Sequence, residues 1–168
     1  MVLLLLQLKS ISVKTASKVV FFSIAMAFAI LMGSCTKAKN DVIPDVYVNF
    51  TLDITDPEFV NLSAIGSDTV DAKTNNWGSG AAGFDGNGII VYNGGDAFYA
   101  FDRTCPHDYD VNGLSIKVKI DFTIATCPTC GTVYALSASG TPASGVGRYP
   151  LKNYRTSFDG RFLRVWNN

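Results

Sequence analysis

Hydrophobic and polar residues alternate with a period of two along several short segments of the chain after residue 45. In the first segment, the residues that share one side are Val46, Val48, Phe50, Leu52 and Ile54. This alternation predicts a strand with one buried face. Similar patterns or short apolar runs predict strands within 89–92, 97–101, 116–120, 122–126, 132–136 and 149–166. No window of useful length has a clean helical period, so the pattern predicts an all-β fold.

Turn-forming residues separate these predicted strands. Seven glycines fall between Gly78 and Gly95, which predicts a stretch that is mostly loop. The sequence NGGD at 93–96 supplies residues that tolerate a positive φ in a tight hairpin, and Asp159-Gly160 predicts a second turn. The Gly-, Ser- and Pro-rich segment 137–147 is predicted to be a connection.

The N-terminal segment has the pattern of a targeting signal. The uncharged apolar run 19–32 follows three lysines, and its 14 residues suit a signal-peptide core better than a membrane span. The run ends in MGSC, which resembles a bacterial lipobox with Cys35 as the lipid-modified cysteine. We therefore predict a lipoprotein signal peptide at 1–34, a polar tether at 35–45 and one domain at 46–168, anchored by lipid in the cell envelope and facing the periplasm or the surface. An ordinary cleaved signal and an uncleaved anchor are the alternatives.

Charge and length narrow the possible functions. The 168 residues carry 14 basic and 14 acidic side chains, which gives no nucleic-acid-binding footprint. Removal of 1–34 leaves about one domain of chain. Only three cysteines then remain besides Cys35, and an odd number in an exported protein indicates a use for thiols beyond disulfide bonding.

All three of these cysteines and the single histidine of the chain fall in two short segments. Cys105-Pro106-His107 is the first and Cys127-Pro128-Thr129-Cys130 is the second, with 19 residues between them. Four such ligands in two pairs favour a metal site. The C-x-x-C pair wraps one tetrahedral ion well, whereas C-x-H is cramped for chelating a single zinc and suits a two-metal cluster better.

These two segments resemble the ligand loops of the Rieske [2Fe–2S] domain, C-x-H and C-x-x-H. The resemblance covers about residues 89–166 and includes CPTCGTVYAL, SGTPASG and the final DGRFLRVW. It implies a small antiparallel β sandwich or barrel with a cluster-binding lobe. It also implies that the Thr132 and Tyr134 hydroxyls bond cluster sulfur or a ligand cysteine, and that the loop 141–145, with Pro142, covers the cluster.

The chain departs from the Rieske pattern at Cys130, where the family has its second histidine. The resemblance then implies a Cys₃His [2Fe–2S] cluster with Cys105 and Cys127 on one iron, and His107 and Cys130 on the other. The added thiolate would lower the potential. We predict an electron carrier, not an enzyme, that serves a redox partner protein, with His107 at the electron exit.

Three alternatives remain open at this level. A thioredoxin-like dithiol is disfavoured because glycine and β-formers, not a helix, follow the C-x-x-C. A non-redox binding lipoprotein would carry a Cys127–Cys130 disulfide, and a structural zinc would use the same four ligands. The nearby Asp108 and Asp110 are predicted to be solvated turn residues.

Overall fold

The computed structural model describes residues 42–167, with the backbone alone at residue 76, and these residues form ten antiparallel strands. The strands are β1 Asn49–Asp53, β2 Gly66–Val70, β3 Ile89–Asn93, β4 Phe98–Asp102, β5 Lys119–Asp121, β6 Ile124–Thr126, β7 Val133–Ala135, β8 Thr141–Ser144, β9 Asn153–Phe158 and β10 Phe162–Trp166. The prediction of an all-β fold is confirmed.

Six strands form the larger sheet, in the order β1-β10-β9-β4-β3-β2, curled into a half-barrel. The predicted alternation decides which side of β1 is buried, since Phe50 and Leu52 lie in the core while Thr51 faces solvent. The hairpin at 93–96 and the β9–β10 turn at Asp159-Gly160 both form where the sequence predicts them. One core packs within this sheet around β1, β3 and β10.

The segment between β1 and β3 adds one strand and several short turns of 3₁₀-helix. Besides β2 it contains the 3₁₀-helices Pro57–Leu62, Thr74–Asn76, Gly78–Gly80 and Phe84–Gly86. The Trp77 ring stacks on Phe50 with centroids 5.0 Å apart and also lies parallel to Phe59. Trp77 therefore closes the core of the larger sheet.

The smaller sheet has the order β5-β6-β7-β8 and packs around a second core. The prediction that 137–147 is only a connection is wrong, because β8 forms within it and a 3₁₀-helix, Leu136–Ala138, overlaps its start. Pro142 lies in β8 opposite Tyr134 of β7, and β8 is an edge strand. An edge strand tolerates a proline because the missing N–H leaves no central ladder bond unmade.

A single α-helix, α1 at Pro106–Asn112, interrupts the β structure of the described residues, although no helix is predicted from the sequence. It begins with a proline at its first position and ends at Gly113, which adopts the left-handed conformation with φ 65°. Seven residues are too few to show a helical period. The Cys105–His107 segment is therefore the start of a helix rather than an open loop.

The chain just before β1 is packed onto the domain. Ile43 is fully buried, and the buried Lys152 ammonium donates to the Ile43 carbonyl at 2.8 Å and pairs with Asp45 at 2.6 Å. Residues 43–45 of the predicted tether thus belong to the folded domain. Within 42–167 no helix is long and apolar enough to cross a bilayer. The predicted signal peptide and Cys35 lie outside the described residues.

Candidate metal centre

Cys105 sits at the entrance to α1, directly after a short bridge between Thr104 and Lys117. Its backbone N–H donates to the Ile116 carbonyl at 2.8 Å, which fixes the backbone that leads from β4 to the helix. The thiol is fully buried in the core of the smaller sheet. The Asp108 backbone N–H points back at the Cys105 sulfur.

Cys127 and Cys130 occupy a tight turn between β6 and β7. The Gly131 N–H donates to the Cys127 carbonyl at 3.1 Å, and the Cys127 N–H donates to the Thr132 carbonyl at 2.9 Å. Gly131 has φ 71°, a conformation in which a side chain is strained. Within this turn, the backbone N–H groups of Cys130 and Thr129 point at the Cys127 sulfur. Such N–H···S bonds stabilise negative charge on sulfur.

The two segments bring three thiols and one carboxylate together. One ligand atom from each of Cys105, Cys127, Cys130 and Asp108 lies within 4.8 Å of the others. The Cys105 and Cys130 sulfurs are 3.7 Å apart, and all three cysteines are free thiols. Cys105 and Cys127 are buried, whereas Cys130 is partly exposed. The predicted convergence of the three cysteines is therefore seen in the structure.

Asp108 is the member of this group for which a solvent-exposed position was predicted. Its side chain is only 1% exposed, so the prediction of a solvated turn residue is wrong for Asp108, while Asp110 is exposed as predicted. Asp108 Oδ2 accepts a hydrogen bond from the Cys127 thiol at 2.8 Å. The signal was present in the sequence: Cys105 and Asp108 are three residues apart, a spacing that brings side chains together once a helix begins.

His107 lies on the same helix but not in the thiol group. It lines a shallow cavity of about 270 Å³ with Asp110, Val111, Val146, Arg148 and Tyr149. His107, Asp110 and Val111 are three and four residues apart, so they share one face of α1. The sequence proposes His107 as a ligand, and the structure brings Asp108, not His107, within reach of the three sulfurs.

Two hydroxyl groups contact the thiols as the sequence predicts for these positions. The Tyr134 hydroxyl is 3.3 Å from the Cys105 sulfur, and both residues are fully buried. The Thr132 hydroxyl accepts a hydrogen bond from the Cys130 thiol at 3.2 Å and from the Gly147 N–H at 2.9 Å. The segment that closes over Thr132 is thus 145–147 rather than the whole predicted loop 141–145. Pro142 lies instead in strand β8, opposite Tyr134 of β7.

Burial controls the acidity of these groups. It raises the pKa of Cys105 to about 11 and the pKa of Cys127 further, the latter with help from the Asp108 carboxylate. Burial also raises the pKa of Tyr134 far above its usual value. For Asp108, burial acts to raise the pKa, but hydrogen bonds from Cys127, Cys105 and Cys130 outweigh it and hold the pKa below the ordinary value. Without a cation the Cys105 and Cys127 thiols stay protonated.

Comparisons with known proteins give only distant similarities. No protein-family model and no curated protein matches the chain. The structure is similar to the ferredoxin of carbazole 1,9a-dioxygenase from Nocardioides aromaticivorans, at 16% identity and a TM-score of 0.45, over 74% of this chain and 100% of that one. It is also similar to a chain from a complex of reduced oxygenase and oxidized ferredoxin in carbazole 1,9a-dioxygenase, at 20% identity and a TM-score of 0.43, over 70% of this chain and 93% of that one. At such identities and TM-scores, neither similarity assigns this chain a family or a function.

Proposed function

We propose that this chain is a one-electron carrier whose redox group is a Rieske-like [2Fe–2S] cluster, and that it is not itself an enzyme. The observation that carries the proposal is the meeting of three free thiols from two separate segments, with their sulfurs and one Asp108 oxygen within 4.8 Å. A core that only needed packing would not place a carboxylate and three thiols side by side, because apolar side chains fill such space at lower cost.

The donor set suits an iron–sulfur group. Cys105, Cys127 and Cys130 would hold it as thiolates, and the positive charge of the metal would overcome the raised pKa values of Cys105 and Cys127. When bound, the cluster supplies reversible one-electron redox chemistry. The chain would tune it through the Tyr134 hydroxyl and the backbone N–H groups of Thr129 and Cys130, since hydrogen bonds to sulfur stabilise the reduced form.

The exposed side of the C-x-x-C turn gives the electron a route to a redox partner protein. Cys130 is the least buried of the three thiols, and Pro128 and Thr129 beside it are exposed. The Cys105 and Cys127 thiols are buried in the second core, so this side would exclude water from a bound metal. A partner that docks on the turn would therefore approach Cys130 most closely.

We also propose that the protein is a lipoprotein, anchored to a bacterial membrane through Cys35 and facing the periplasm or the surface. The apolar run 19–32 and the MGSC sequence support this location. Labelling of growing cells with a fatty-acid analogue should mark the wild type and leave Cys35→Ser unlabelled. Equal labelling of both would contradict the anchor.

Anaerobic purification of the full chain tests the redox proposal. We expect a reddish-brown protein with thiolate-to-iron charge-transfer absorption, equal amounts of iron and acid-labile sulfide, and a paramagnetic resonance signal that appears on reduction and disappears on reoxidation. The triple variant Cys105→Ser/Cys127→Ser/Cys130→Ser is the control and should be colourless. Wild-type protein that lacks iron and sulfide after anaerobic reconstitution would refute the proposal.

A structural zinc site is the second candidate, and one distance favours it. The edge of a tetrahedral zinc–thiolate site is about 3.8 Å, which follows from zinc–sulfur bonds of about 2.3 Å. The Cys105 and Cys130 sulfurs are 3.7 Å apart. Colourless protein with one zinc per chain, and with unfolding free energy that falls when the zinc is chelated, would select this candidate over the electron carrier.

A further inference from the structure

The side chains of α1 point in two different directions, which defines two faces of the helix. Cys105, at the entrance to the helix, and Asp108 are three residues apart and meet on the side of the second core. His107 points with Asp110 and Val111 toward the cavity that Arg148 and Tyr149 line. Because successive residues in an α-helix are about 100° apart, α1 cannot aim His107 and Asp108 at one point. Only one of the two can join the thiols.

Among the described residues no lysine or arginine pairs with the buried Asp108 carboxylate, and the neighbouring His107 acts on it only through charge. The described part of the chain forms two Lys/Arg ion pairs, Lys152 with Asp45 and Arg161 with Asp53, and neither involves Asp108. The side-chain groups that bond to the carboxylate are the thiols themselves. A buried carboxylate is costly unless a cation compensates it. A metal ion among the three sulfurs would provide that cation.

We infer that Asp108, and not His107, is the fourth ligand, so that the metal centre has a Cys₃Asp donor set formed by Cys105, Cys127, Cys130 and Asp108. This inference rests on the proposed function for the metal to be iron, but the ligand set itself follows from the geometry for any metal that accepts thiolate and carboxylate. Carboxylate oxygen is a ligand for zinc and for iron. With four anionic ligands the centre is more negative than a Cys₃His centre, which lowers its reduction potential.

Four single variants of the full chain test the assignment: Asp108→Asn and Asp108→Cys, with His107→Gln and His107→Cys as the matched controls on the other of the two faces of α1. Each is loaded anaerobically with iron and sulfide and, in a separate sample, titrated with Co²⁺. Circular dichroism of the metal-free protein shows whether each variant folds.

Asp108→Asn should weaken Co²⁺ binding by at least about 100-fold, because loss of even an outer hydrogen-bond partner costs about 10–100-fold. In the iron-loaded protein it should reduce the iron content or change the resonance signal. Asp108→Cys should keep the metal, with stronger sulfur-to-metal absorption from the added thiolate. His107→Gln and His107→Cys should leave spectrum and affinity unchanged.

The outcomes separate this inference from the proposed function. If iron and sulfide bind and the His107 variants, rather than the Asp108 variants, alter the spectrum, the inference is wrong and the electron carrier stands. If Co²⁺ binds with the expected Asp108 dependence but iron and sulfide do not, the ligand set stands and the electron carrier fails. A wild type that binds neither would overturn both.

Discussion

The Tyr134 hydroxyl lies 3.3 Å from the Cys105 sulfur inside a core from which water is excluded at both residues. A hydrogen bond to a ligand sulfur favours the reduced cluster, so Tyr134→Phe should lower the potential. A bond of about 0.5–1.5 kcal/mol corresponds to about 20–60 mV for one electron. Protein-film voltammetry measures the shift. The control is Tyr109→Phe, since the Tyr109 ring packs against Phe84; an equal shift in both variants would contradict a specific role for Tyr134.

The Thr132 hydroxyl joins the C-x-x-C turn to the segment after β8, through the Cys130 thiol and the Gly147 N–H. Thr132→Val keeps the shape of the side chain but leaves the Gly147 N–H without its acceptor. We expect the free energy of unfolding to fall by about 1–3 kcal/mol, measured by urea denaturation of the metal-free protein. Thr141→Val, on β8, replaces a threonine whose side chain makes no hydrogen bond within residues 42–167, so it should cost less. Equal losses would show that the bond to Gly147 contributes nothing.

The approach of Gly147 to Thr132 leaves no room for a side chain. A Cβ at residue 147 would lie 2.6 Å from Thr132 Cγ2, and Thr132 is buried and too short to move away. Gly147→Ala should therefore destabilise the protein by about 1–3 kcal/mol. Thr132→Ser removes the clashing methyl group and keeps the hydroxyl. The double variant should lose less stability than the two single losses added together, and strict additivity in a double-mutant cycle would refute the contact.

Tyr154 provides a pH dependence that is independent of the metal centre. Its hydroxyl donates to the buried Asp102 carboxylate at 2.6 Å, and burial, followed by the Asp102 charge, raises the Tyr154 pKa well above the ordinary value of 10.0. A group whose folded pKa is raised contributes stability that is complete below the unfolded pKa and is lost as the pH rises above it. At pH 7 Tyr154→Phe should cost about 2 kcal/mol, since the bond has a charged acceptor.

That cost should shrink as the pH rises above 10, because the unfolded wild type ionises at Tyr154 and the phenylalanine variant does not. Urea denaturation of both proteins between pH 7 and 11 measures the difference. A difference that stays constant over this range would contradict the raised pKa.

Much of the fold follows from local patterns in the sequence. The sequence alone predicted strand β1 from its alternation, strand β3 from its apolar run, and the hairpin at 93–96 from its turn residues. These predictions succeeded because each element is determined by residues close in sequence. The convergence of the three cysteines was predicted from residue type and spacing alone. In each case one physical requirement, either a buried face or a set of metal ligands, favoured one structure over the others that the sequence allowed.

The parts that were missed depend on elements too short or too unusual to show a period. Strand β8 has the composition of a loop and exists because β7 offers it an edge to pair with. Helix α1 is seven residues long, and its signals were the proline at its first position and Gly113 at its end. Because the helix was missed, Asp108 was assigned to solvent, and its position beside the three thiols was not predicted. His107, the predicted ligand, lies on another face of α1.

The Lys152 contacts with Ile43 and Asp45 limit how far the domain can move from its proposed anchor. Only seven residues lie between Cys35 and the buried Ile43, and the eight residue-to-residue steps span at most about 28 Å when fully extended. A lipid-anchored form would therefore carry electrons only over a short distance, within a thin layer above the bilayer. Electrons would pass only to acceptors that are themselves part of that membrane or that come down to its surface.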